Sequence, residues 1–416
     1  MPFSPIKRYT KRILLAPILA FVISTCAAQD DPFQITQYQF IDYELNHIDD
    51  VSGRFANKLT KSIIQLIDGN EKTIIAHIGD SHIQADFFTS NIRNKLQMLH
   101  PGMSGSRGLI FPYNLAETNN PHNYQCTSNN EWVASYSTKI KEPSEIGLYG
   151  VKITTTDTII NLIINIKDSI SESFNTINLW YGSEKEGNIW IETSQTTLQF
   201  NIEPGADKNA TYQLPNYERS VNIKIALKAK GKFDIFGVEF GNDLPGIEYH
   251  AIGINGASAE SYNRCLFFEN QLQRLQPTLI VLSLGTNDAY AGVISPTEYK
   301  EKYTQLLNTI KRACPLTPIL LTTPNNHARR GVDMSLNINT INKVIKTVAK
   351  ENNLAFWDFH SIMGGHNSIQ QWQYDSLAAR DLIHLSPKGY TLKADLFYIA
   401  LLKLYDANVG QLELTK

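Results

Sequence analysis

Thr73–Phe87 reads TIIAHIGDSHIQADF, and its two halves ask for different structures. Thr73–Ile78 is a short apolar run of the kind that forms a buried strand, and it stops abruptly at Gly79-Asp80-Ser81-His82. From about Asp86 to Leu99 the spacing turns helical, with Phe87, Ile92, Leu96 and Leu99 as the apolar side. A serine on a tight turn between a buried strand and a helix stands at the carboxyl edge of a sheet. There its Oγ points outward, and backbone N–H groups at the helix start can receive an oxyanion. The competing reading is that Asp80 and Ser81 only cap the following helix. The rest of the chain has to decide between them.

Working outward, Phe55–Ile67 has helical spacing before the strand, through Leu59, Ile63, Ile64 and Ile67. From Pro101 the composition becomes that of a loop, glycine-rich to Gly108 and then crowded with asparagines between Asn119 and Asn130. Between about Ile146 and Asn242 the period is near two: Val151, Ile153 and Thr155 alternate with polar residues, as do Val221, Ile223, Ile225 and Leu227. Short strands separated by turn clusters predict a β-sandwich or jelly roll. Trp180, Tyr181 and Trp190 could stack on a sugar ring there, although such aromatics usually belong to a sandwich core or rim. After Leu244 an α/β pattern resumes. Strands are expected at Tyr249–Ile254, Pro277–Leu284, Pro318–Thr323 and Ala355–Asp358. Helices are expected at about 259–275, 296–312, 338–352 and 387–404. Solidly apolar strands alternating with helices argue for a parallel sheet covered on both faces. The β-rich block therefore reads as an insertion into one α/β domain.

The chain has 416 residues, 42% hydrophobic and 19% charged, enough apolar surface for a real core and two or three domains of ordinary size. A formal net charge of −2 leaves no electrostatic footprint for nucleic acid. At the N-terminus Lys7, Arg8, Lys11 and Arg12 precede an apolar run, Ile13–Ile23, and then the small residues Ser24-Thr25-Cys26-Ala27-Ala28. That pattern is a secretory signal too short to span a bilayer, with cleavage expected after Ala28. Lipidation of Cys26 is the alternative, with Thr25 a poor fit before it. Either way the mature chain is expected outside the cytoplasm, periplasmic or extracellular, with no transmembrane segment. Cys126, Cys265 and Cys314 would remain, an odd number at wide spacings, which reads as buried free thiols.

Further stretches fall beside strand ends. Asp381 and His384 in DLIHLS can form the general-base half of a triad. Gly256 in GINGAS brings an N–H without a side chain, and Asn287 in GTND offers a side-chain amide. Each alone has a plain structural reading as a loop hydrogen-bonder, cap or turn residue. GDSH at 79–82, GINGAS at 253–258, GTND at 285–288 and DLIHLS at 381–386, in that order, resemble blocks I, II, III and V of the SGNH (GDSL-type) hydrolases.

The resemblance implies an α/β, three-layer SGNH fold with a mostly parallel sheet, interrupted by an inserted β-sandwich that is jelly-roll-like. It implies Ser81 as nucleophile, His384 as base and Asp381 as its orienting partner. The oxyanion hole would comprise Ser81, Gly256 and Asn287, and the chemistry requires no metal or cofactor. His82 stands where many members have leucine; those acting on cell-wall or polysaccharide acetyl groups often carry histidine. The insertion is similar in arrangement to peptidoglycan O-acetylesterases of the Ape1 kind, whose extra module is carbohydrate-binding-like. The expected organisation is a signal peptide (1–28), an N-terminal hydrolase segment (29–111), the inserted sandwich (112–247) and a C-terminal hydrolase segment (248–416). The expected activity is removal of O-acetyl groups from a glycan, with peptidoglycan ahead of xylan. An O-acetyltransferase shares the acyl-enzyme, and a glycan-binding protein with a decayed site is the non-enzymatic alternative. His360 and His366, near Asp358, have a spacing that fits no standard zinc motif.

Overall fold

The computed structural model describes residues 38–69, 71–167, 173–292, 295–329 and 331–414. The expected signal segment and Cys26 lie outside these residues. Residues from Phe40 onward form one compact unit. Its centre is a five-stranded parallel sheet of β1 (Lys72–Gly79), β13 (Gly246–Gly253), β14 (Leu279–Ser283), β15 (Ile319–Thr322) and β18 (Ala355–Trp357). The spatial order is β13-β1-β14-β15-β18, every neighbouring pair parallel. Counting only these strands the order is 2-1-3-4-5, so the winding reverses beside β1, and ligands of such sheets bind outside the carboxyl ends at that point.

The strands are solidly apolar because the sheet is covered: β13 is buried along its whole length. Flanking helices fall into mutually packed groups. Arg54–Ile67 and Phe87–Gln97 both pack on Pro387–Leu414, while Ala259–Asn263, Phe268–Leu275 and Ser335–Glu351 pack on Pro296–Ala313. The three remaining cysteines are free and buried, as their spacing suggests.

Between β1 and β13 lie two antiparallel sheets. One has the order β10-β7-β12-β5-β4, with β2 also paired to β12; the other is β3-β6-β11-β8-β9. Their strands are β2 (Gly108–Ile110), β3 (Tyr124–Thr127), β4 (Val133–Tyr136), β5 (Val151–Thr155), β6 (Ile159–Ile166) and β7 (Phe174–Ser183). They continue with β8 (Gly187–Glu192), β9 (Thr197–Ile202), β10 (Gly205–Glu218), β11 (Ser220–Leu227) and β12 (Phe233–Gly241). Alternate residues of β6, β8 and β11 are buried, as a period of two requires, and the inward side chains of both sheets share one apolar core.

Several elements differ from the sequence reading, each for a tertiary reason. Pro101–Asn130 is not all loop, since it contributes β2, β3 and a 3₁₀ turn at Tyr113–Ala116. The helix expected over 259–275 is broken, because backbone groups of Arg264, Leu266 and Phe267 bond to Ser144 and Ile146 instead. The loop expected after β18 contains short helices at Phe359–Ile362 and Ser368–Tyr374. Trp180 and Tyr181 are core residues and cannot stack on a ligand, whereas Trp190 is half-buried.

Candidate active site

β1 ends at Gly79, and the chain turns into a one-turn helix, Ser81–Gln84, before the longer helix Phe87–Gln97 begins. Asp80 caps the short helix by accepting the His82 N–H at 3.0 Å. The capping reading is thus right for Asp80, which leaves Ser81 at the first helical position with its side chain not used in the cap. Gly79 has no room for a Cβ, which would lie 2.7 Å from the Ser283 carbonyl oxygen, so β1 and β14 close tightly beneath the turn. Burial raises the pKa of the Asp80 carboxyl, against the hydrogen bond from His82.

Ser81 Oγ lies 2.8 Å from His384 Nε2, and His384 Nδ1 lies 2.7 Å from Asp381 Oδ2. The other carboxylate oxygen of Asp381 accepts the backbone N–H groups of Ile383 and His384 at 2.9 and 3.0 Å. Asp381 thereby fixes both the ring and the loop that carries it. Although burial opposes it, hydrogen bonding from His384 and these amides holds the Asp381 carboxyl below the usual range. With Nδ1 facing a carboxylate, the neutral imidazole carries its proton there and turns the Nε2 lone pair to Ser81.

Asn287 follows β14, and its Nδ2 donates to the Ala257 carbonyl at 2.9 Å. One amide hydrogen is used in aiming the side chain, and the other remains for the cleft. Gly256 has φ of +82°, a left-handed backbone that favours glycine, and an added Cβ would meet nothing closer than 3.9 Å. Conformation rather than space therefore accounts for this glycine. No described backbone group accepts the Ser81 or Gly256 N–H. Ser81, Gly256, Asn287 and His384 all line one cleft of about 500 Å³. The structure thus brings together every site residue named from the sequence.

Sequence reasoning missed the frame around them. Gln84 accepts the Asn255 N–H at 2.6 Å and donates to the Asn119 carbonyl at 2.8 Å, tying the GDSH turn to the GINGAS loop and to the residues before β3. Gln84 lies one helical turn from Ser81, which is the signal that could have pointed to it. His82 is buried against His384, ring centroids 5.2 Å apart, with its Nδ1 on the Tyr390 hydroxyl at 2.8 Å. Burial and then the charge of His384 keep its pKa well below the ordinary value, so it stays neutral. Lys393 is buried between the rings of Phe88 and Phe359, and burial lowers its pKa to about 8.

Among the described residues, one cluster elsewhere has metal-ligating residue types. Single ligand atoms of Glu239, Glu248 and His250 lie within 4.8 Å of one another. The Leu109 N–H donates to His250 Nδ1 at 2.9 Å, so the neutral ring keeps its proton on Nε2. Nε2 is 3.9 Å from Glu248 and so presents a hydrogen, not a lone pair, to the carboxylate. Lys72 already occupies Glu248 Oε1 at 2.8 Å. The donor set suits a hydrogen-bonded cluster better than a metal. His360 is buried on a short helix and is absent from this group.

Residues 233–392 match the model of the GDSL-like Lipase/Acylhydrolase family. This stretch of the chain is similar to a GDSL-like lipase/acylhydrolase domain. That places it among the carboxylic ester hydrolases. The matched span contains Gly256, Asn287, Asp381 and His384, whereas Ser81 lies upstream, beyond the antiparallel strands. A solved structure titled peptidoglycan O-acetylesterase in action shares the fold, with a TM-score of 0.72 at 22% identity over 86% of this chain and 99% of that one. Axe2, an acetylxylan esterase from Geobacillus stearothermophilus, has 22% identity and a TM-score of 0.32, covering 38% of this chain and 73% of that one. A family two carbohydrate esterase from Cellvibrio japonicus has 12% identity and a TM-score of 0.29, covering 67% and 99%. No curated protein sequence matches the chain.

Proposed function

We propose that the protein is an exported serine esterase that removes O-acetyl groups from a polysaccharide, with peptidoglycan as the preferred substrate. The observation that carries this reading is the continuous relay Ser81–His384–Asp381, at 2.8 and 2.7 Å, opening into a cleft. Ser81 Oγ attacks the acetyl carbonyl while His384 Nε2 takes its proton. Negative charge on the carbonyl oxygen is met by the Ser81 and Gly256 N–H groups and the free Asn287 amide hydrogen. As the intermediate collapses, His384 returns the proton to the departing sugar oxygen and leaves acetyl-Ser81. Water then attacks, deprotonated by the same imidazole, and acetate leaves with Ser81 restored.

The cleft lining combines amides (Gln84, Asn119, Asn255) with aromatics (Phe87, Tyr290, Tyr390), a mixture suited to sugar hydroxyls and ring faces. The fold shared with a protein titled as a peptidoglycan O-acetylesterase favours that polymer. The antiparallel sheets are read as an inserted carbohydrate-binding-like module, 112–247, and the basic-then-apolar N-terminus as an export signal, with lipidation at Cys26 as the alternative to cleavage after Ala28. The test is acetate release from O-acetylated peptidoglycan and from acetylated xylan, beside Ser81→Ala. Release from peptidoglycan that the substitution abolishes is the expected result. Release from xylan alone would replace the substrate, and release that survives Ser81→Ala would remove the relay from the mechanism.

A further inference from the structure

We infer that Arg329 is an anion-reading subsite at the cleft wall, which selects glycans bearing a ring-borne carboxylate. The inference rests on the glycan esterase reading above. Arg329 lies on β16 (Ala328–Arg329), which pairs with β17 (Val332–Asp333) in a short hairpin. Its guanidinium carbon lies 5.0 Å from the centroid of the Tyr290 ring, and Tyr290 lines the cleft. The adjacent residue, Ala328, donates its N–H to the Leu382 carbonyl at 2.9 Å, inside the loop that carries Asp381 and His384. Arg329 is thus held between the aromatic wall and the triad loop. Asn337 in turn pins the end of the Tyr290 helix, donating to the Ala289 and Gly292 carbonyls at 3.0 and 2.7 Å.

A guanidinium set over an aromatic ring still has N–H groups for another partner, and their fork matches a carboxylate in two-point geometry. Among the described residues no carboxylate is paired with Arg329. None of the side chains lining the cleft is acidic, so an anionic ligand entering it meets no opposing charge there. Asp381 is the acid of the adjoining loop, and both its oxygens are committed to His384 and to backbone amides. A glycan whose ring carries an acid, as muramic acid does in its lactyl ether and glucuronic acid at its C6, would place that group on the N–H fork.

The experiment compares wild type with Arg329→Gln by calorimetric binding of unacetylated oligosaccharides, which neither protein can turn over. The ligands are a muramic-acid-containing disaccharide, a glucuronic-acid-substituted xylo-oligosaccharide and a neutral N-acetylglucosamine oligomer. At least one acidic ligand is expected to bind wild type and to weaken roughly tenfold in Arg329→Gln, the scale of one charge-assisted hydrogen bond. The neutral oligomer should bind both proteins alike, and Ser81-dependent cleavage of an aryl acetate should be unchanged. Which acid responds identifies the source of the carboxylate. Equal affinities in the two proteins, equal losses for neutral and acidic ligands, or no acidic ligand bound by wild type would each overturn the inference. If acidic binding depends on Arg329 but no acetylated glycan is hydrolysed, it is the esterase reading that falls.

Discussion

The parallel sheet and the antiparallel sheets of this chain are held together by different physics. Across the parallel sheet a row of side chains is hydrogen-bonded from strand to strand. Tyr249 Oη of β13 meets His77 Nδ1 of β1 at 2.7 Å, His77 Nε2 meets Ser283 Oγ of β14 at 2.6 Å, and Ser283 meets Thr322 Oγ1 of β15 at 2.8 Å. Burial lowers the His77 pKa to about 3, so the ring stays neutral and bridges both neighbours. In the antiparallel sheets the alternation of β6, β8 and β11 puts apolar residues inward at every second position. The difference teaches where chemistry can be placed. A sheet covered on both faces presents groups only where its strands end, and all the site residues lie beyond β1, β13, β14 or on the final loop. The segment leading into the antiparallel sheets adds Asn119 to the wall of that cleft, but contributes none of the relay.

The largest test of this division is Ser81→Ala. Ester turnover should fall by about 10⁶ in kcat, the scale of removing the nucleophile from a working triad. The melting temperature should stay nearly unchanged, because Ser81 contributes nothing to either core. A variant that lost stability along with turnover would show that site and scaffold are not separable here.

Next comes the seam between the two regions. Asp86 is fully buried and receives Arg93 at 3.0 Å, Arg107 at 2.7 Å and Asn123 at 2.6 Å. Burial alone would raise its pKa, but the Arg107 and Arg93 guanidiniums outweigh that and hold the carboxylate ionised. Asp86→Asn leaves buried guanidiniums short of their countercharge and should cost about 3–5 kcal/mol of stability, measured by denaturant unfolding. A loss below ~1 kcal/mol, the value of an exposed ion pair, would mean that water reaches the seam.

Asn287→Ala removes one oxyanion donor and is expected to lower kcat by about 10²–10³ with little change in KM. A larger effect on KM than on kcat would indicate that the amide serves substrate binding instead. Because Asn287 also holds the Ala257 carbonyl, Asn287→Asp is the useful companion: it lacks the donor hydrogens and should be as slow as the alanine variant.

Much of this is legible in the sequence because it depends on local pattern. The switch from period two to solid apolar runs separates the sheets, and the residues at strand ends mark the relay. What stays hidden depends on partners distant in the chain. The break at Arg264–Phe267 follows from Ser144 and Ile146 capturing backbone groups that local propensity would assign to a helix. Gln84 reads as an ordinary helical residue until Asn255 is brought 2.6 Å from it. Arg329 sits in a stretch with no periodic signal, and only Tyr290 beside it gives it meaning.

The smallest effect concerns pH, and it sharpens the view of the seam as a junction of buried polar groups. Glu239 of β12 faces Glu248 of β13, with Asn178 donating to Glu239 at 3.1 Å and Lys72 to Glu248 at 2.8 Å. Burial first, and then the charge of Glu248, raise the Glu239 pKa from the ordinary 4.5 to about 7. Between those values the folded protein holds a proton on Glu239 that the unfolded chain has released, so the Glu239 contribution to stability should fall as pH rises from about 4.5 to 7, while buried His77 and His250, each lowered to about 3, act in the opposite sense. Glu239→Gln cannot lose a proton and should flatten that slope. Asp288, also raised to about 7 by burial, will leave part of it in place. The difference in melting temperature between wild type and Glu239→Gln, measured at intervals across this window, would check the sign of that contribution. A slope unchanged by Glu239→Gln would assign the dependence to Asp288 and the buried histidines, leaving Glu239 electrically silent.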